Sequence, residues 1–112
     1  MANVYKNIQA VISSAASDVD MYTAPDETTS IVKSIKLYNT HSSNLVVDIK
    51  VYDFSSTTDF EYETVTVNTD NSVDLLTFNN VLILEAGDIL RMQTPTTNVV
   101  KMTASVLQTS RS

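Results

Sequence analysis

Apolar and polar residues alternate along most of this chain with a period of two. That is the period of an extended strand, whose successive side chains point to opposite faces. Residues 45–52 carry the signal most cleanly: Leu45, Val47, Ile49 and Val51 share one parity, and Val46, Asp48, Lys50 and Tyr52 the other. Residues 4–12 alternate too, with Val4, Ile8, Ala10 and Ile12 on one side, and a short second strand is expected at residues 19–23. Residues 29–39 form another strand, with Ile31, Ile35 and Leu37 expected on one face and Val32, Lys36 and Tyr38 on the other. Residues 98–108 form the last, with Val100, Met102, Ala104 and Val106 turned inward and a frayed tail at residues 109–112. Residues 60–67 carry a conflict: Phe60 and Tyr62 have one parity, Val65 and Val67 the other. Either a β-bulge near Glu63 switches the face, or the aromatics lie outward in an interface.

Between these runs stand polar turn-formers. Residues 13–18, 39–44, 53–59 and 68–72 are rich in Ser, Thr, Asn and Asp, and Ala24-Pro25-Asp26-Glu27 is a turn in which Pro25 presets φ. Residues 73–76 read as a short strand, from which Phe78 leads through Asn79 and Asn80 into a stretch of its own kind. Residues 81–84 are four apolar residues in a row, as in a strand buried on both faces or one at the centre of the core, and residues 89–93 alternate. Between them lies Glu85-Ala86-Gly87-Asp88, which holds the chain's one glycine. Gly at the third position suits a type II turn, which needs positive φ there. The stretch reads as a hairpin with Gly87 as its structural turn residue.

About eight strands, turn signals every 8–12 residues and no helical period predict one all-β domain spanning residues 1–112. The expected architecture is a single antiparallel β-sandwich or jelly roll.

Composition narrows the functional classes. No run approaches the roughly 18 apolar residues of a membrane-spanning helix, and no basic stretch with an apolar block opens the chain, so neither a membrane partner nor a signal peptide is expected. With no cysteine there are no disulfides and no thiolate zinc sites, as in a protein made in a reducing cytosol. The net charge is −6 and the seven Lys and Arg are scattered, which argues against nucleic-acid binding.

Candidate chemistry is thin. Asp53, Asp59, Glu61, Glu63, Asp70 and Asp74 fall in a stretch with no Lys or Arg between Lys50 and Arg91. On a strand, Asp59, Glu61 and Glu63 would line one face. The first reading is a solvated face that resists edge pairing; an acidic strip for a basic partner comes next. A hard-cation site comes last, because residues two apart on a strand lie roughly 6–7 Å apart. A carboxylate pair for glycoside hydrolysis lacks a Trp to stack a sugar. His41 is the single histidine and lies in a polar loop with no nucleophile elbow. No catalytic, metal or cofactor residue is therefore assigned. Tyrosine favours interfaces because one end is apolar and the other wet. The contact residues expected are Val4, Tyr5, Tyr38, Tyr52, Phe60 and Tyr62.

One resemblance adds to this. The opening Met1-Ala2-Asn3-Val4-Tyr5-Lys6-Asn7, the run Ile31-Val32-Lys33-Ser34-Ile35, and Leu37-Tyr38-Asn39 are followed by Leu82-Ile83-Leu84-Glu85-Ala86-Gly87-Asp88-Ile89-Leu90 and a closing Val99-Val100-Lys101-Met102-Thr103-Ala104-Ser105-Val106-Leu107. Together they resemble the small all-β virion proteins of tailed bacteriophages that infect marine bacteria and cyanobacteria. The resemblance implies a non-enzymatic structural part of the virion, assembled in the host cytoplasm. The expectation is a capsid decoration (cement) protein, a homo-oligomer bound to the major capsid protein. A neck or tail component and a carbohydrate-binding module are the alternatives.

Overall fold

The computed structural model describes residues 3–13, 17–75 and 81–110. Their elements are all strands: β1 (Asn3–Val11), β2 (Val19–Thr23), β3 (Thr28–Asn39), β4 (Leu45–Asp53), β5 (Thr58–Val67), β6 (Ser72–Asp74), β7 (Leu82–Leu84), β8 (Ile89–Gln93) and β9 (Val100–Ser110). One sheet has the order β1-β9-β3-β6, with β7 also on β3; the other has the order β2-β8-β4-β5. Every pairing is antiparallel. The order has a simple logic. The ends of the chain pair first, β1 with β9, and successive pairs follow inward: β2 with β8, β3 with β6 and β7, β4 with β5. These pairs alternate between the sheets, as in an antiparallel ribbon wrapped around a core, which is the jelly roll. Because β6 and β7 share one position beside β3, the nine short strands fill eight places.

The alternating residues fill the space between the sheets. Leu45, Val47 and Ile49 from β4 meet Val100, Met102, Ala104 and Val106 from β9, with Ile35 and Leu37 from β3 and Leu90 and Met92 from β8. Fully burying an aliphatic side chain stabilises by roughly 1.5–3 kcal/mol before chain entropy is set against it.

Four expectations need correction. First, residues 81–92 are not a hairpin. β7 pairs with β3 in one sheet and β8 with β2 and β4 in the other, so the turn at residues 85–88 arches between sheets. The apolar run is likewise not buried on both faces: Leu84 is buried, while Val81 and Ile83 are exposed. Second, Val32 lies in the core and Ile31 does not. The register of β3 against β9 shifts between Val32 and Ser34, so the extra residue Lys33 flips the parity of everything before it. Third, Asp59, Glu61 and Glu63 do not share a face. Glu63 pairs with Ile49 and Glu61 with Lys50, leaving Tyr62 as the bulged residue, beside the expected position. The bulge resolves the parity conflict in β5, and Phe60 and Tyr62 are exposed as well. Fourth, residues 109–110 are the end of β9, paired to β3 through Thr29↔Thr109 and Thr28↔Ser110, not a frayed tail. Residue 76, the expected end of the short strand, and Phe78, Asn79 and Asn80 lie outside the described residues, as do 111–112.

The turn around Gly87 ties the sandwich together. Gly87 has φ +87°, and the Asp88 N–H donates to the Glu85 carbonyl at 2.9 Å, closing the turn. The Gly87 N–H donates to the Ala24 carbonyl at 3.0 Å, and the Ala24 N–H to the Asp88 carbonyl at 2.9 Å. The buried Asp88 carboxylate accepts from the Phe54 N–H at 3.0 Å and the Glu85 N–H at 2.9 Å. Three chain reversals thus meet at one residue.

Candidate functional site

Residues directly opposite each other on neighbouring strands lie on the same sheet face. That rule assigns the outer surface of the β1-β9-β3 sheet. Tyr5 stands opposite Leu107, Leu107 opposite Ile31, and Ile31 opposite Ile83. These four residues form an apolar row across β1, β9, β3 and β7 on the side away from the core. The row is open at both ends, where Tyr5 is 73% and Ile83 56% exposed. The Lys33 ammonium lies 5.7 Å from the centre of the Tyr5 ring, a cation–π distance. A shallow depression beside it is lined by Tyr5, Asn7, Lys33 and Ser105. Farther along the same face, Lys36 stands opposite Asp74 and Thr103, and Tyr38 opposite Lys101. Among the described residues, Lys36 and Lys101 form no ion pair.

The outer surface of the other sheet has the opposite character. Asp20, Arg91, Lys50 and Glu61 stand in one line across β2, β8, β4 and β5. Arg91 Nε donates to Asp20 at 2.8 Å and Nη1 to Asp59 at 3.0 Å, while its guanidinium lies 4.5 Å from the Tyr52 ring centre. One side chain therefore bridges all four strands. The hydrogen bond to Asp20, with the charge of Asp20 and Asp59 behind it, raises the Arg91 pKa further still and outweighs the opposing burial. Lys50 is held by Asp18 at 3.3 Å and Asp48 at 3.9 Å. Each cation on this face is thus bracketed by two carboxylates. Val46, Asp48, Gln93, Thr94 and Pro95 line a shallow depression at its other end.

The six expected contact residues do not form one patch. Tyr5 and Tyr38 share the outer face of the first sheet but stand at opposite ends of it. Val4, exposed, stands opposite Gln108 and so has the inward parity. Tyr52 points outward but is half-buried under Arg91. Phe60 stands opposite Val51 on the inward parity and is exposed because it lies at the edge of the sandwich. Tyr62 projects from the bulge, where burial and then the Glu63 carboxylate push its hydroxyl pKa up. Ile31, Leu107 and Ile83 were not among the expected contacts. The signal for Ile83 was available: in an unbroken apolar run, alternate residues must face out if only one face meets the core.

The candidate chemistry gains no geometry. His41 is half-buried, and its Nδ1 accepts the Ser43 N–H at 3.1 Å. The Thr69 hydroxyl donates to the His41 carbonyl. Asp53 accepts from the Ser55 hydroxyl at 2.8 Å and the Ser56 hydroxyl at 3.0 Å, which lowers its pKa below 3.8. Among the described residues no three His, Asp or Glu are placed to hold a metal ion, and no buried side-chain nitrogen or oxygen lacks a partner. No helix among them is long and apolar enough to cross a membrane.

These features define a jelly-roll protein whose open chemistry lies on its sheet faces. No protein-family model and no curated protein sequence matches the chain. Among solved structures it is similar to a protein of Bacillus endospore appendages, described as forming a novel family of disulfide-linked pili. That likeness covers 98% of this chain and 89% of the other, with a TM-score of 0.60 at 14% identity. It is a likeness of fold. The present chain has no cysteine with which to form a disulfide link.

Proposed function

We propose that this chain is a non-enzymatic structural subunit of an assembled particle, and specifically a virion protein of a tailed bacteriophage. The most concrete form of the reading is a capsid decoration (cement) protein that binds the major capsid protein and neighbouring copies of itself. The observation that carries the structural part is the Tyr5–Leu107–Ile31–Ile83 row. An apolar row that crosses four strands and points away from the core is a contact surface waiting for a partner. The phage part rests on the sequence resemblance. A second reading, a neck or tail component, is favoured by the fold likeness to a pilus protein; such a subunit would polymerise through non-covalent contacts alone.

Copy number in purified particles separates the two. Quantitative protein gels should show hundreds of copies for a decoration protein and roughly 6–18 for a ring at the neck or tail. Absence of the chain from particles overturns both.

A further inference from the structure

The two outer faces carry opposite charge. On the β1-β9-β3 sheet the outward strand positions hold Lys33, Lys36 and Lys101 against Asp74. On the β2-β8-β4-β5 sheet they hold Asp20, Asp48, Asp59 and Glu61 against Lys50 and Arg91. The contrast lies in the balance of charge: four strand carboxylates against two cations on one face, and three ammonium groups against one carboxylate on the other. Glu61 is the acidic-face strand carboxylate in no ion pair among the described residues. Lys50 and Arg91 are each already bracketed by two carboxylates, whereas Lys36 and Lys101 form no ion pair among the described residues. In a chain of net charge −6, one face is left with free ammonium groups and the other with excess carboxylate.

We infer that these faces are the two halves of one contact: the Lys33–Lys36–Lys101 face of one copy seats on the Asp48–Asp59–Glu61 face of the next. The contact is head-to-tail, joining different surfaces, so each copy keeps one face free and growth continues into a ring or a filament. The apolar row supplies burial and the charges supply register. The acidic face offers an apolar counterpart in the shallow depression lined by Val46 and Pro95. The size is at the low end of a specific contact, and the acidic face, with five-residue β2 and β8, is the smaller of the two. An 11-residue strand such as β9 is about 36 Å long and four strands about 19 Å wide, roughly 700 Å² of face. A standard-size interface takes about 800 Å² from each partner. A symmetric pairing of the lysine faces would set three cations against three and is disfavoured. The inference deepens the structural reading by naming a partner, a second copy, and rests on it only for the premise that the apolar row is a contact surface.

Two variants test it, each altering outward-facing residues of one sheet, of which Asp48 is half-buried and the other three are exposed. Lys36→Glu with Lys101→Glu reverses the basic face; Asp48→Lys with Glu61→Lys reverses the acidic one. Sedimentation velocity is run on the wild type, on each variant and on their equimolar mixture, at low salt and then with added salt. The wild type should show faster species that grow with concentration and are lost as salt screens the contact. Each variant alone should lose them, and the mixture should regain association to at least a dimer, because each variant brings the intact face the other lacks. Restoration on mixing also shows that both variants are folded. A wild type that stays monomeric overturns the inference, including the case in which the basic face serves a different, acidic partner. So does a variant that associates alone as the wild type does, which marks a symmetric contact, and so does a mixture that stays monomeric. Copy number on particles is scored separately: a monomer present on particles sinks only the head-to-tail contact, and a polymer absent from them sinks only the virion reading.

Discussion

Replacing Gly87 with alanine adds one methyl group at the tightest point of the arch between the sheets. Two costs follow. The backbone sits at φ +87°, where an L side chain is strained by about 1–2 kcal/mol. The new Cβ would also lie 2.8 Å from Cγ of Phe54, 3.0 Å from its Cδ2 and 3.1 Å from its Cβ. The Phe54 ring is 60% exposed and can swing outward, but its Cβ belongs to a backbone whose N–H is bonded to Asp88. Relieving the clash therefore costs about 1 kcal/mol more. The expected loss is about 2–3 kcal/mol, measured as a fall in the urea midpoint at unchanged slope. For a domain of this size that corresponds to a drop of about 8–12 °C in Tm. The second half of the test is the pair: Phe54→Ala removes the ring but leaves the 3.1 Å contact, so the double variant should be more stable than additivity predicts by about 0.5–1 kcal/mol. A Gly87→Ala loss below about 0.5 kcal/mol would refute both the positive-φ turn and the Phe54 contact. Strict additivity would refute the contact alone.

Three further predictions concern the same network of turns. Asp88→Ala leaves the N–H groups of Phe54 and Glu85 without their carboxylate acceptor and should cost about 2–4 kcal/mol by urea unfolding; Asp88→Asn, which keeps one acceptor, should cost less, and equal losses would contradict the two-bond geometry. Thr57 is a β-branched residue at φ +50°, so Thr57→Gly should raise stability by about 1 kcal/mol, and a loss would show that its backbone is not strained. The lowered Asp53 pKa means that its bonds to Ser55 and Ser56 stabilise the fold above pH 3.8 and cease to do so as pH falls through the folded value. In Ser55→Ala with Ser56→Ala, a carboxyl NMR titration should find the Asp53 pKa raised towards 3.8, and an unmoved value would exclude the hydroxyls as its cause.

Much of the fold was legible because strand periodicity reports burial directly. The inward residues of β4 and β9 were readable from parity alone, and β2 falls at the expected residues. The errors share one physical cause: long-range pairing. A single added residue inverts a face, so the bulge at Lys33 exchanged the places of Ile31 and Val32, and the bulge at Tyr62 parted Glu63 from Glu61. At Tyr62 the clash of parities announced the bulge; at Lys33 two adjacent β-branched residues, Ile31 and Val32, hid it. The arch at Gly87 looked like a hairpin because a tight turn between two strands is the same local sequence whether they pair with each other or not. Only the partners of β7 and β8 tell the two apart. The proposed contact surface shares only Tyr5 with the residues expected from the sequence. Exposed tyrosines were the visible signal, yet the apolar row depends on cross-strand register among four strands that lie far apart in the chain.

On the proposed function, the outer sheet faces, rather than an internal pocket, carry the work of this protein. A density map of the chain in the particle it belongs to tests that most directly. Tyr5, Ile31, Ile83 and Leu107 should be covered by a neighbouring subunit, with Lys36 and Lys101 against carboxylates. A map in which that face is open to solvent, and the protein is held by its strand edges or its loops instead, would contradict it.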